Sequence, residues 1–138
     1  MRYAVTGGTG LVGSHVIYSL LLKGEEVVVL HRKQSKKQDI LRVFSFYNDD
    51  PKPLFDKLIW QEVDLLEGSY LYTILPGIDV VMHCAATVSF NPRDFQSTVI
   101  ENPKITANLV NAALSSGVKK FIHVSSVAAL GRKPGQKY

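Results

Sequence analysis

The sequence is poor in sulfur and in long apolar runs. Cys84 is the single cysteine among 138 residues, so it excludes an internal disulfide and offers no cysteine-rich metal framework. The first apolar run, Arg2–Thr6, breaks at Gly7 and is too short for a signal peptide or a membrane span. We therefore expect a reduced, cytoplasmic protein with no metal site and no membrane association.

The sequence also has no large excess of positive or negative charge. Lys and Arg exceed Asp and Glu by only four, and they gather at 32–37, 119–120 and 132–137 instead of forming one long block. The 32–37 patch has no interleaved aromatic residues, so we expect scattered surface charge and no nucleic-acid partner. With 46% hydrophobic and 20% charged residues, the composition is that of a globular domain and excludes a disordered chain.

Apolar runs alternate along the chain with segments of helical periodicity. The predicted strands are 2–6, 26–30, 57–63, 78–83 and 119–124; the predicted helices are 11–23, 36–47, 68–75 and 93–116, with a loop signal at 49–53. Pro103 must either start the last helix or kink it. This alternation predicts an α/β fold, a doubly wound parallel sheet of order 3-2-1-4-5 with helices on both faces and a ligand crevice at its carboxyl edge. We expect one domain over 1–131 and a frayed tail over 132–138.

A glycine-rich segment joins the first strand to the first helix. Residues 6–13 read Thr-Gly-Gly-Thr-Gly-Leu-Val-Gly, which satisfies both G-x-G-x-x-G and G-x-x-G-x-x-G. Such spacing permits a tight turn, a close approach of backbone to a pyrophosphate and close packing of helix on strand. Backbone N–H groups at the helix start then face the phosphates. A dinucleotide site is the favoured interpretation; a methyltransferase loop, a flavoprotein loop or a turn without a ligand stays open for this segment alone.

Five segments in order resemble the extended short-chain dehydrogenase/reductase superfamily, which contains NAD-dependent epimerases, dehydratases and dihydroflavonol-type reductases. They are the glycine loop through His15, Val-Asp-Leu at 63–65, His-Cys-Ala-Ala at 83–86, Asn102 with the helix after it, and the 118–131 stretch with its paired serines. The resemblance implies a Rossmann fold that binds NAD(P). The residues it places at the cofactor are Gly7, Gly10, Leu11, Val12, Gly13, Asp64, Leu65, Ala85, Ala86 and Asn102.

The end of the second strand departs from the NAD-preferring members of the family. Those members carry an acidic residue that bonds the adenosine ribose, whereas this chain has His31 followed by Arg32. A carboxylate repels a 2′-phosphate, and an arginine binds it with a forked pair of hydrogen bonds. We therefore place His31 and Arg32 at the cofactor and favour NADP over NAD, although NAD remains possible.

The catalytic residues that the resemblance implies are incomplete in this chain. Ser126, with Ser125 as the second choice, aligns with the catalytic serine. The Tyr-x-x-x-Lys motif expected some two dozen residues later is absent from this sequence. Tyr138 is not its tyrosine, because it stands too close to Ser126. We expect the NAD(P)-binding portion of an enzyme acting on a carbonyl or alcohol carbon of a small molecule, inactive alone. A reductase is favoured over a nucleotide-sugar epimerase or dehydratase.

Two further expectations concern the full-length protein. It could form a homodimer, as family members often do. The alternative to an enzyme is a non-catalytic module that binds or senses NADP(H), since some members of the superfamily lack the tyrosine and lysine.

Overall fold

The computed structural model describes residues 1–89, 91–131 and 135. Five parallel strands form one sheet of order β3-β2-β1-β4-β5, as predicted. The strands are β1 (Arg2–Thr6), β2 (Glu26–His31), β3 (Ile59–Glu62), β4 (Val80–His83) and β5 (Lys120–His123). The central strands β1 and β2 are buried on both faces over most of their length, which explains the uninterrupted Val-Val-Val-Leu run of β2.

The strand register brings the carboxyl ends of four strands level. Thr6 at the end of β1 pairs with Leu30 of β2 and with His83 of β4, and His83 pairs with His123 of β5. The chain order reverses between β1 and β4, so the loops after these strands diverge and leave a crevice at this edge.

Helices cover both faces of the sheet. They are α1 (Leu11–Leu22), α2 (Gln38–Phe44), α3 (Lys52–Phe55), α4 (Leu71–Ile74) and α5 (Asn102–Ser115). One apolar core buries Ile17 of α1 and Phe44 of α2 against one face, and the other buries Leu71 of α4 and Leu109 of α5 against the opposite face. These two cores confirm the doubly wound arrangement.

Several predicted bounds differ from the structure: the helix predicted over 36–47 is Gln38–Phe44, and the strands predicted over 57–63 and 78–83 are Ile59–Glu62 and Val80–His83. Lys52 and Pro53 begin the short helix α3 instead of lying in a loop, because the first helical turn tolerates a residue without an N–H group. The predicted helix over 68–75 is helical only at Leu71–Ile74.

Pro103 lies in the first turn of α5, so it starts that helix, and the Gln96–Glu101 segment before it is a π-helix. Pro103 cannot donate to the carbonyl four residues earlier, which favours a wider turn there.

The ends of the described structure bear on two further expectations. The frayed tail predicted for 132–138 lies outside the described residues except at Gly135. In the part of the chain that the structure describes, no helix has the length and apolar character needed to cross a membrane.

Candidate dinucleotide site

A cleft opens at the carboxyl edge of the sheet, where the crevice was predicted. Its lining comes from the β1–α1 loop (7–10), the end of β2 (30–32 and Ser35), the segment after β3 (63–66), the segment after β4 (84–87), and Glu101 and Ile105 at the start of α5. The cleft therefore runs across four strand ends, the shape that an extended two-part ligand requires.

Three glycines of the loop are required by the fold itself. Gly7 has a φ of +66°, and a Cβ there would lie 2.7 Å from the Ala85 backbone nitrogen. A Cβ at Gly8 would lie 2.6 Å from a methyl carbon of Ile17, and one at Gly13 would overlap the Gly7 carbonyl oxygen. These glycines let β1, α1 and the segment after β4 pack against each other without side chains between them.

Gly10 differs from the other loop glycines, because a Cβ there would contact only the Gly7 carbonyl oxygen, at 3.3 Å. Its φ of −86° is open to any residue, so the backbone does not require glycine. Gly10 lines the cleft and is the N-cap of α1, with no side chain capping the helix. The first N–H groups of a helix lack intrahelical partners, so this end can bind a phosphate that approaches over Gly10.

Leu11 and Val12 follow the glycine loop, but their side chains do not line the cleft. Leu11 is 76% exposed, and both side chains line a shallow groove between α1 and the sheet. Any contact of these two residues with a ligand in the cleft must therefore come from their backbone N–H groups. The same holds for Gly13, which has no side chain.

A buried histidine connects β1, β4 and α5 beneath the cleft. Thr106 Oγ1 donates to the Asn102 carbonyl oxygen at 3.0 Å, so it accepts from His83 Nε2 at 3.0 Å. His83 Nδ1 is then unprotonated and accepts from the Thr6 hydroxyl at 2.8 Å. Thr6 Oγ1 in turn accepts the Ala85 N–H at 3.1 Å. This chain of hydrogen bonds fixes the position of Ala85 in the cleft wall.

The environment of His83 favours its neutral form. The ring is 1% exposed and stacks on His123 with centroids 5.1 Å apart. Burial, and to a lesser degree the charge of His123, lowers the pKa of His83 to about 4. His83 is therefore a structural residue. Burial also raises the pKa of the Cys84 thiol, which supports a packing role for Cys84 and not that of a nucleophile.

The end of β2 carries a cation and no carboxylate. His31, Arg32 and Ser35 line the cleft together, on the side away from α5. Arg32 is exposed and takes part in no salt bridge among the described residues. On the β3 side, Asp64 and Leu65 also line the cleft, and Asp64 Oδ1 accepts the Leu66 N–H at 2.8 Å. This arrangement places a positive group and an acidic group on neighbouring walls.

Asn102 and the two serines lie outside the cleft lining. The Asn102 side chain accepts the Thr87 N–H at 2.9 Å and donates to the Thr87 carbonyl oxygen at 2.8 Å, so it ties the segment after β4 to α5. Ser125 and Ser126 follow β5 and are exposed at the same sheet edge. Sequence reasoning missed Ser35 and Glu101 as lining residues, because their positions depend on turns and long-range contacts that no local pattern marks.

The residues of this cleft fit a bound dinucleotide. Gly10 keeps clear the path to an uncapped helix end, which suits a pyrophosphate, while Arg32 and Asp64 stand where polar groups of an adenosine would need partners. The small side chains of Ala85 and Ala86 leave room for a ligand to run along the wall.

Comparison with known proteins agrees with this geometry. The model of the NAD dependent epimerase/dehydratase family matches residues 3–138, so the chain belongs to that family. A UDP-glucose 4-epimerase of Klebsiella pneumoniae is 30% identical over 100% of this chain and 98% of its own length. A putative dihydroflavonol 4-reductase of Synechocystis is 29% identical over 95% of this chain but only 34% of its own length. This chain therefore spans about a third of that reductase.

Among solved structures, a UDP-glucuronic acid 4-epimerase from Bacillus cereus in complex with NAD superposes with a TM-score of 0.72. It is 29% identical, and the match covers 98% of this chain and 42% of the epimerase. The fold and the family predicted from the sequence are thus confirmed, and the matching family is described as NAD dependent.

Proposed function

We propose that this chain binds NADP(H) and is the cofactor-binding part of a reductase that acts on a carbonyl or alcohol carbon of a small molecule. The observation that carries the cofactor choice is the placement of Arg32 in the cleft wall at the end of β2, where it forms no salt bridge among the described residues. A guanidinium at this position attracts a 2′-phosphate, whereas the acidic residue usual in NAD-binding sheets would repel it.

The remaining residues have distinct proposed roles around the ligand. The N–H groups of Leu11, Val12 and Gly13 bind the pyrophosphate, and Asp64 accepts from the adenine amino group. Ala85 and Ala86 form the wall along which the nicotinamide half lies. When bound, the cofactor supplies or accepts a hydride. Ser126 stands at the carboxyl edge of β5 and would donate to the substrate oxygen, with Ser125 as the alternative.

We further propose that the chain by itself does not turn over substrate. It contains no Tyr-x-x-x-Lys sequence, and therefore lacks the acid/base that would exchange a proton with the substrate oxygen. Substrate recognition and dimer formation belong to the full-length protein, which we place in the cytoplasm.

An NAD-dependent epimerase acting on a nucleotide sugar is the second candidate. It is favoured by the likeness to the Bacillus cereus epimerase, whose structure contains NAD. The two candidates differ in the cofactor they need, because an epimerase of this kind works with NAD and does not require a 2′-phosphate site.

Calorimetric titration with NADPH and NADH tests the proposal. The wild-type chain is expected to bind NADPH at least tenfold more tightly, and Arg32→Ala to abolish this preference, because the variant loses a charge-assisted contact. Lys33→Ala is the matched control: Lys33 carries the same charge one residue later but does not line the cleft, so its substitution should leave the preference intact. Tighter binding of NADH by the wild type would contradict the Arg32 argument and favour the epimerase.

A further inference from the structure

Arg32 belongs to a turn that a second cleft residue holds together. The Arg32 N–H donates to Ser35 Oγ at 3.2 Å, and the Ser35 N–H donates to the Arg32 carbonyl oxygen at 2.9 Å. The same carbonyl accepts from His31 Nδ1 at 3.0 Å. Both backbone groups of Arg32 are therefore bonded within a four-residue turn, while its side chain is left to the cleft.

The Ser35 hydroxyl retains a donor for a ligand. A hydroxyl has one hydrogen and two lone pairs, and the bond from Arg32 uses a lone pair only. Among the described residues, the Ser35 hydroxyl donates to no acceptor, and Ser35 is half-buried in the cleft wall next to Arg32. A donor beside an arginine without an ion-pair partner matches an anion that only accepts hydrogen bonds, such as a phosphate monoester.

The other cations of this segment do not converge on the same place. Lys33 and Lys36 are exposed and lie outside the cleft lining. Lys37 directs its Nζ over the Trp60 ring, 4.7 Å from the ring centroid. The patch of positive charge over 32–37 thus contributes one cation and one hydroxyl to the cleft.

We propose that Ser35 is a specificity-determining residue, whose hydroxyl donates to a phosphate on the adenosine 2′ position while its Oγ and N–H hold Arg32 in place. This inference rests on the proposed NADP(H) function and adds to it a second residue that reads the 2′ position. It also assigns the Arg-x-x-Ser turn, instead of the arginine alone, as the element that selects the cofactor.

The test uses ligands that contain only the adenosine end, so that binding does not depend on the nicotinamide half. Dissociation constants of 2′,5′-ADP, 3′,5′-ADP and 5′-AMP are measured by calorimetry for the wild type, Ser35→Ala, Ser35→Thr and Ser35→Asp. The wild type is expected to prefer 2′,5′-ADP over both other ligands. Ser35→Ala should reduce that preference about tenfold, the worth of one hydrogen bond to a charged group.

The other two variants make the result specific. Ser35→Thr retains the hydroxyl and should retain the preference, while Ser35→Asp should reverse it in favour of 5′-AMP by charge repulsion. Lys36→Ala is the control: it removes a cation of the same segment outside the cleft and should leave the preference unchanged.

The outcomes separate this inference from the proposed function. A wild type that prefers 2′,5′-ADP, together with a Ser35→Ala variant that keeps the full preference, overturns the role of Ser35 and leaves the NADP(H) proposal standing. A wild type that binds 5′-AMP or 3′,5′-ADP as tightly as 2′,5′-ADP overturns the NADP(H) proposal and the Ser35 inference with it. Equal losses in Ser35→Ala and Lys36→Ala would show that substitutions in this segment lower the preference without regard to the cleft, and would also overturn the inference.

Discussion

At the scale of single residues, glycines of one loop serve different purposes. Gly13→Ala should destabilise the domain by about 3 kcal/mol or more, because the new Cβ overlaps the Gly7 carbonyl oxygen and neither backbone can yield easily.

Gly10→Ala should change the free energy of unfolding by only about 1 kcal/mol, since its Cβ lies 3.3 Å from the Gly7 carbonyl oxygen. The same Cβ obstructs the start of α1, so the variant should bind NADPH about tenfold more weakly. Urea unfolding and calorimetry measure the two quantities.

Gly24→Ala provides the control for backbone strain alone. Gly24 has a φ of +75°, and a Cβ added there would have no atom within 4 Å, so the substitution should cost about 1 kcal/mol without changing NADPH affinity. A Gly10→Ala variant that binds NADPH like the wild type would refute the assignment of Gly10 to the phosphate path.

His83 makes the stability of the fold depend on pH. Its pKa is about 4 in the folded chain and about 6.5 in the unfolded chain, so the unfolded state takes up the proton first as the pH falls. The stabilisation is fully present above about pH 6.5 and is lost progressively down to about pH 4. The loss amounts to about 3 kcal/mol, at roughly 1.4 kcal/mol for each unit of pKa difference.

Comparison with His83→Gln isolates this effect. The pKa of Asp79 is lowered, mainly by its hydrogen bond with Lys119, and this carboxylate also loses stabilising interactions in acid. The variant keeps Asp79 and removes the histidine, so its free energy of unfolding, measured by urea titration between pH 7 and pH 4.5, should fall less steeply than that of the wild type. Parallel curves for the two proteins would show that His83 is not the titrating group.

At the scale of elements, the regular part of the fold could be predicted from local patterns. Continuous β-branched runs such as the Val27–Val28–Val29 run predict buried parallel strands, and glycine after an apolar strand marks the start of α1. The errors in the type of element, as opposed to its bounds, fall where proline acts on a short segment. The helix α3 has no periodic pattern long enough to recognise, because four residues give at most one apolar repeat, and the π-helix before Pro103 was predicted only as part of one long helix.

The candidate site could be predicted from residue spacing only where a single segment of the chain forms that part of the site. The glycine loop could be found from its own spacing directly after a strand, whereas Asp64 and the Ala85–Ala86 pair, two or three residues past a strand end, were placed by the family resemblance. The hydrogen bond between Thr6 and His83 joins residues 77 apart in sequence, and the one between Asn102 and Thr87 joins residues 15 apart. Such contacts form only when β1, β4 and α5 pack together, so no spacing of residues in the sequence predicts them.

At the scale of the whole molecule, one part of the sheet remains open to solvent. Tyr3, Met82 and Ile122 of neighbouring strands line a shallow groove beside α1, together with the exposed Leu11 and the half-exposed Val12. An apolar surface of this kind binds hydrophobic dyes. We expect the chain to increase the fluorescence of anilinonaphthalene sulfonate under native conditions, and NADPH not to displace the dye, because the groove and the cofactor cleft share no lining residue.

Leu11→Gln should lower the dye fluorescence, since Leu11 is 76% exposed at the groove. Leu114→Gln is the matched control, because Leu114 is 75% exposed on α5 and does not line the groove. Equal losses in both variants would mean that the dye reports scattered apolar side chains and not this groove. A wild-type chain that binds no dye would mean that the groove is covered in solution, by self-association if sedimentation shows a dimer. A monomer without dye binding would contradict the prediction outright, because the apolar face would then have to be closed by a rearrangement of the sheet and α1 themselves.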